Sequence, residues 1–146
     1  MTATSETDVP AWRFAEFSPG QSLTTVEVTL GPEHLQGWRS IFGVEPDPER
    51  LPRGLVVSAL VEGFIKCVQP RPKGNIHASQ MLEFTQCVPR LGDIVKVKAT
   101  VGDTETRRGR NWVTFSLTAT ANGALLCTGD FAVIWATCPS RGTEHD

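Results

Sequence analysis

The stretch LPRGLVVSALVEGF, residues 51–64, decides the fold. It opens with Pro52-Arg53-Gly54, continues apolar through Val68, and sets one carboxylate, Glu62, inside that run. β-Branched residues at 56, 57, 61 and 65 favour a strand, but an apolar run of about 14 residues is long for one. Length decides for a buried helix over 55–68. A helix apolar on nearly every side must be enclosed by other structure.

The flanking segments supply the enclosure. Upstream, SLTTVEVTL at 22–30 places Leu23, Val26, Val28 and Leu30 mostly at period two and predicts a strand. GPEHLQGWRSIFG has Pro32 at a helix start, Glu33 in the first turn, and Leu35, Trp38, Ile41 and Phe42 three and four apart, so it predicts a short amphipathic helix closed by Gly43. VEPDPERLPRG holds three prolines in eleven residues and predicts a loop. Downstream, QPRPKGN ends the apolar run, and strands are predicted at 77–87, 94–101, 111–121 and 124–136. PRLGD, GDTETRRG and the hairpin pair Asn122-Gly123 separate them. Residues 1–21, with Trp12, Phe14 and Phe17, predict a loose tail that becomes an apolar strap, and 138–146 a solvated tail. The domain over 22–137 is α+β: a curved antiparallel sheet wrapped around a long central helix.

At 146 residues, 40% hydrophobic and 21% charged, the chain predicts a single domain with one core. A net charge of −2 gives no field for gathering nucleic acid, and no apolar run reaches the roughly 18 residues that span a bilayer. The polar start, with Glu6 and Asp8, has neither signal nor transit character and predicts a cytoplasmic protein. Cys67, Cys87, Cys127 and Cys138 form no Cys-x-x-Cys pair and predict buried free thiols. His34, His77 and His145 have no metal-ligand spacing, so no metal is expected.

The order of elements resembles the hotdog fold. FGVEPDPERLPRGLVVSAL resembles the MaoC-like hydratases and dehydratases, in which a Phe-Gly precedes the glycine opening the central helix. IHASQMLEFTQCVPRLGDIVKVKATV is similar to their next strand pair through Phe84, Pro89, Gly92 and Asp93, and NGALLCTGDFAVIW to the closing hairpin. The resemblance covers roughly residues 22–136 and implies an acyl-thioester enzyme with no cofactor beyond coenzyme A or phosphopantetheine carried by the substrate. It also implies a homodimer, or a hetero-oligomer with a second hotdog subunit. MaoC-like hydratases carry an Asp and a His in the loop before the central helix, where they handle water and the α-proton. This loop offers Glu45, Asp47 and Glu49 but no histidine. RGLVVSALVEGF resembles acyl-CoA thioesterases of the same fold, with a glycine at the helix start and a carboxylate eight residues on, here Gly54 and Glu62.

Each candidate has a chemical reading and a plain one. Gly54 at a helix start exposes N–H groups to a thioester carbonyl, or is a turn glycine after Pro52. Glu62, between Val61 and Phe64, reads as a desolvated carboxylate with a raised pKa suited to general-base work, or as the middle of an exposed Ser58, Glu62, Lys66 stripe. His77 on an inner strand near the helix start could orient water, or be structural. Asp47 sits at the helix mouth or is merely solvated. Arg53, Leu55 and Ser58 are substrate contacts beside Gly54. Arg107, Arg108 and Arg110, with Arg71 and Lys73, suit a phosphate grip on coenzyme A, or hairpin solubility. Hydrolysis leads among the reactions, followed by hydration or dehydration, then a non-catalytic subunit shaping a partner's acyl tunnel.

Overall fold

The computed structural model describes residues 10–137. In chain order it contains β1 (Val26–Thr29), α1 (Pro32–Phe42), α2 (Arg53–Cys67), β2 (Ile76–Phe84), β3 (Ile94–Arg107), β4 (Arg110–Ala121) and β5 (Ala124–Trp135). The strands pair antiparallel in the order β1-β3-β4-β5-β2, leaving β1 and β2 as edges. Alternate residues face the core, Val95, Val97, Ala99 and Val101 from β3 and Val113, Phe115, Leu117 and Ala119 from β4. Against them lie Leu55, Val56, Ala59, Leu60, Phe64 and Cys67 of α2, three and four apart. Gly63 allows the approach: a Cβ there would fall 2.5 Å from the Val97 side chain. Phe17 is buried, stacks on Trp12 at 5.1 Å and meets Phe115 and Trp135 edge-on. The tight β4–β5 turn uses Asn122 (φ 53°) and Gly123 (φ 78°), both left-handed as a two-residue hairpin requires.

Four local expectations change. The predicted GDTETRRG loop is largely strand: β3 runs to Arg107 and only Arg108 and Gly109 turn, because this polar segment pairs with β4 beyond the core. The first strand shrinks to Val26–Thr29, with Ser22 forming an isolated bridge to Thr100. The central helix is enclosed on one face only, since Ser58, Ile65 and Lys66 are exposed and Glu62 is half-buried. Cys87 is exposed while Cys67 and Cys127 are buried; all three are free, and Cys138 lies outside the described residues.

Gly63→Ala tests the helix–sheet approach. Alanine is the better helix former by about 1 kcal/mol, but its methyl would collide with Val97. We expect a net loss of about 1–3 kcal/mol in urea unfolding.

Candidate active site

The N-terminal half of α2 and the face of α1 turned toward it enclose a groove of about 550 Å³, lined by Glu33, His34, Trp38, Leu55 and Ser58 among others. Its walls are mainly apolar. Gly54 lies in the same lining, and no side chain caps the α2 start after Pro52, so the first turn offers N–H groups and a partial positive charge. The glycine itself has a packing role: a Cβ at position 54 would lie 2.5 Å from the Trp38 ring. Arg53 donates from Nη2 to the Thr85 carbonyl at 3.0 Å and lies over the Phe84 ring at 5.8 Å, tying the α2 start to the end of β2.

Glu62 is not the desolvated acid expected. Its side chain is 40% exposed, and Oε2 accepts a 3.0 Å hydrogen bond from Lys66. That bond holds its pKa below the usual 4.5, outweighing the opposing effect of burial, and His34 adds to the lowering. The i, i+4 stripe Ser58, Glu62 and Lys66 faces outward, as helix geometry requires once Leu60 and Phe64 face inward. Gly54, Ser58 and Glu62 follow one another at single-turn spacing; Gly54 and Ser58 line the groove, and Glu62 lies one turn beyond Ser58, outside its lining.

His34 was absent from the sequence-based site. It is the third residue of α1, and its Nδ1 accepts the Gly31 N–H at 3.2 Å. This bond assigns the proton of the neutral ring to Nε2, which faces Glu62 Oε1 at 3.6 Å; Glu33 lies 3.6 Å from Nδ1. The ring is largely buried and lines the groove. A histidine beside a helix cap is legible in the sequence, but its approach to Glu62 arises only when α1 packs across α2.

The other candidates lie elsewhere. His77 is on an edge strand, not an inner one, with its ring against Phe131 at 4.7 Å and Phe64 at 6.4 Å. Phe64 is about 15 Å along α2 from Gly54, so His77 marks the opposite end of the helix. Burial pushes its pKa below 6.5 and Arg71 adds to this, while Gln80 opposes. Asp47 closes a local turn, Oδ1 accepting the Glu49 N–H at 3.0 Å, and does not line the groove. Arg107, Arg108 and Arg110 line a separate pocket with Trp112; Arg107 stacks on that ring at 4.2 Å and pairs with Glu105 at 3.0 Å. The hairpin lies about 35 Å of strand contour from the Ala121–Ala124 turn, and the β2 end below α2 bonds next to that turn through Thr85 and Leu125. Within this chain the arginines therefore do not reach the groove. Among the described residues no cluster of His, Cys, Asp and Glu could hold a metal, and no helix is long and apolar enough to cross a membrane.

No protein-family model and no curated protein matches the chain. Solved structures do. A MaoC-like dehydratase from Rhodospirillum rubrum superposes with a TM-score of 0.73 at 15% identity, over 88% of this chain and 99% of that one. The R-hydratase PhaJ1 from Pseudomonas aeruginosa gives 0.71 at 17%, over 88% of each chain. The fluoroacetyl-CoA-specific thioesterase FlK gives 0.60 at 18%, over 81% of this chain and 87% of that one. All are hotdog proteins, and the fold of this chain is the hotdog fold.

Two carboxylate and imidazole shifts set a pH dependence. Glu62, with its lowered folded pKa, stabilises the fold above 4.5, and that contribution is lost as pH falls through the folded value. Its exposure keeps the effect small. Urea midpoints from roughly pH 6 to roughly pH 3 should fall less steeply in Glu62→Gln than in wild type. His77 acts in the same sense in a higher window, present above 6.5 and lost below its depressed folded value. Its imidazole NMR signals should titrate with a midpoint under 6.5.

Proposed function

We propose that the protein acts on an acyl thioester and that its reaction is the addition of water to a 2-enoyl thioester, or the reverse. The carrying observation is the His34–Glu62 pair beside the groove at the α2 start. The hydratase resemblance lacked a loop histidine; α1 provides an imidazole 3.6 Å from a carboxylate instead. The likeness to a MaoC-like dehydratase and an R-hydratase supports this choice over hydrolysis.

In this reading Ser58, which lines the groove one turn from Glu62, donates its hydroxyl to the thioester carbonyl oxygen. Glu62, kept ionised by Lys66 and His34, takes a proton from water as the water oxygen bonds to the β-carbon. The double-bond electrons move toward the carbonyl oxygen as an enolate, and the same proton passes from Glu62 to the α-carbon. His34 donates from Nε2 to orient the water. Product mass spectrometry with saturated, 3-hydroxy and 2-enoyl thioesters should find water gained by the enoyl and lost by the 3-hydroxy compound. Glu62→Gln and His34→Gln should each lower kcat by about two to four orders of magnitude. Free acid from a saturated thioester would replace this reaction with hydrolysis, which the Gly54 to Glu62 separation favours. Binding without turnover would make the chain a non-catalytic subunit of a second hotdog protein.

The assembly in this reading is a homodimer. β2 leaves an unpaired edge, and Ile76, Met81 and Phe84 on it are exposed, a surface that a second sheet edge would cover. Antiparallel self-pairing about a two-fold near Gln80 would set His77 of the partner subunit beside Glu83 and Phe84, where Arg53 ties down the α2 start. It would also turn the partner's arginine hairpin to that end of the sheet, toward the nucleotide of a coenzyme A thioester. Light scattering should give twice 15.9 kDa. Replacing Arg107, Arg108 and Arg110 with Ala should raise KM with little change in kcat, and salt should shrink the difference.

A further inference from the structure

We infer that the groove between α1 and the α2 start receives the apolar acyl chain of the substrate, making Gly37, Trp38, Ile41 and Phe42 determinants of chain length. This rests on the thioester reading. The independent observation is Gly37. It sits in the interior of α1, where glycine is the poorest helix former after proline. Its backbone is not in the left-handed region, and a Cβ built there meets nothing within 4 Å. Among the described residues no atom would meet a side chain at this position, in contrast to Gly54 and Gly63, where a methyl would collide. What the missing side chain leaves open is space in the groove that Gly37 lines.

The surrounding side chains match an amphipathic ligand. Trp38 forms a wall, with its ring 4.3 Å from that of Phe42. Ile41 and Phe42 are 75% and 58% exposed, and Val44 beyond them 63%, so the groove continues onto an uncovered apolar surface. The three-and-four spacing sets Ile41 and Phe42 on the apolar side of α1 with Leu35 and Trp38. At the other end stand His34 and Ser58, with Glu62 facing His34, polar groups for the thioester head. A volume of about 550 Å³ lies within the usual range for small-molecule sites. The polar end orders the thioester and the apolar end its chain.

The test measures calorimetric affinity for acetyl-CoA, octanoyl-CoA and free octanoate. Gly37→Leu fills the open space and should weaken octanoyl-CoA and octanoate about tenfold or more while leaving acetyl-CoA unchanged. Ile41→Ser should do the same to a smaller degree. Gly37→Ala should raise Tm by about 3–5 °C, separating lost space from lost stability. Equal effects on both thioesters, no effect on either, or no octanoate binding by the wild type would overturn the assignment. So would a change of oligomeric state in Gly37→Leu, which would make a second copy the occupant. Wild type that binds octanoate, sensitive to Gly37→Leu, but no thioester refutes the thioester reading and leaves the groove. Turnover of thioesters with no chain-length effect of Gly37→Leu refutes the groove alone.

Discussion

The packing of α2 onto β3 through Gly63 and Val97 is the constraint on which the rest depends. With a backbone held this close to the sheet, rotation of the helix about its axis is fixed by the burial of Leu60 and Phe64. The outward stripe follows with no freedom left, and it contains Gly54, Ser58, Glu62 and Lys66 at single-turn spacing. α1 then lies across that stripe, with the Trp38 ring seated where Gly54 has no side chain. That crossing delivers His34 to Glu62. The chemistry of the site is therefore a consequence of a steric fit on the opposite face of the helix.

Much of the fold is legible in the chain because its signals are local. Alternation over 111–121, the Asn122-Gly123 turn and the length of the apolar run after Gly54 each point to one element without knowledge of the rest. The extension of β3 to Arg107 is different. GDTETRR carries no apolar alternation, since it pairs with β4 outside the core, and only the partner strand makes it a strand. Glu62 misled for a related reason: its neighbours in sequence are apolar, yet in a helix those at one and two positions away point to other faces. His77 misled because strand order is not written in any strand, and β2 takes the edge beside β5.

The separation of the polar groups along α2 bears on assembly. Arg71 and His77 stand at its C-terminal end, where Arg71 lies over Phe64 and Trp135. His34 meets Glu62 only two residues before Phe64, about 12 Å along the helix from the open end at Gly54. α2 is rigid, so within one chain its two ends stay about 20 Å apart. A two-fold through the free β2 edge, as in the proposed homodimer, would reverse one copy against the other and juxtapose unlike ends.

The glycine at the helix start needs a different argument from the one its position invites. A thioester carbonyl is held by backbone N–H groups, which every residue except proline supplies, so the chemistry alone does not demand glycine at 54. Trp38 does, through the 2.5 Å its ring leaves to a Cβ. The uncapped first turn of α2 opens onto the groove two turns from Glu62, and packing alone accounts for Gly54. Gly37 reverses the case: among the described residues no neighbour would meet a Cβ there, helix propensity opposes glycine, and the position opens onto the groove. Of the two glycines, the one without a contact carries the more information about what binds.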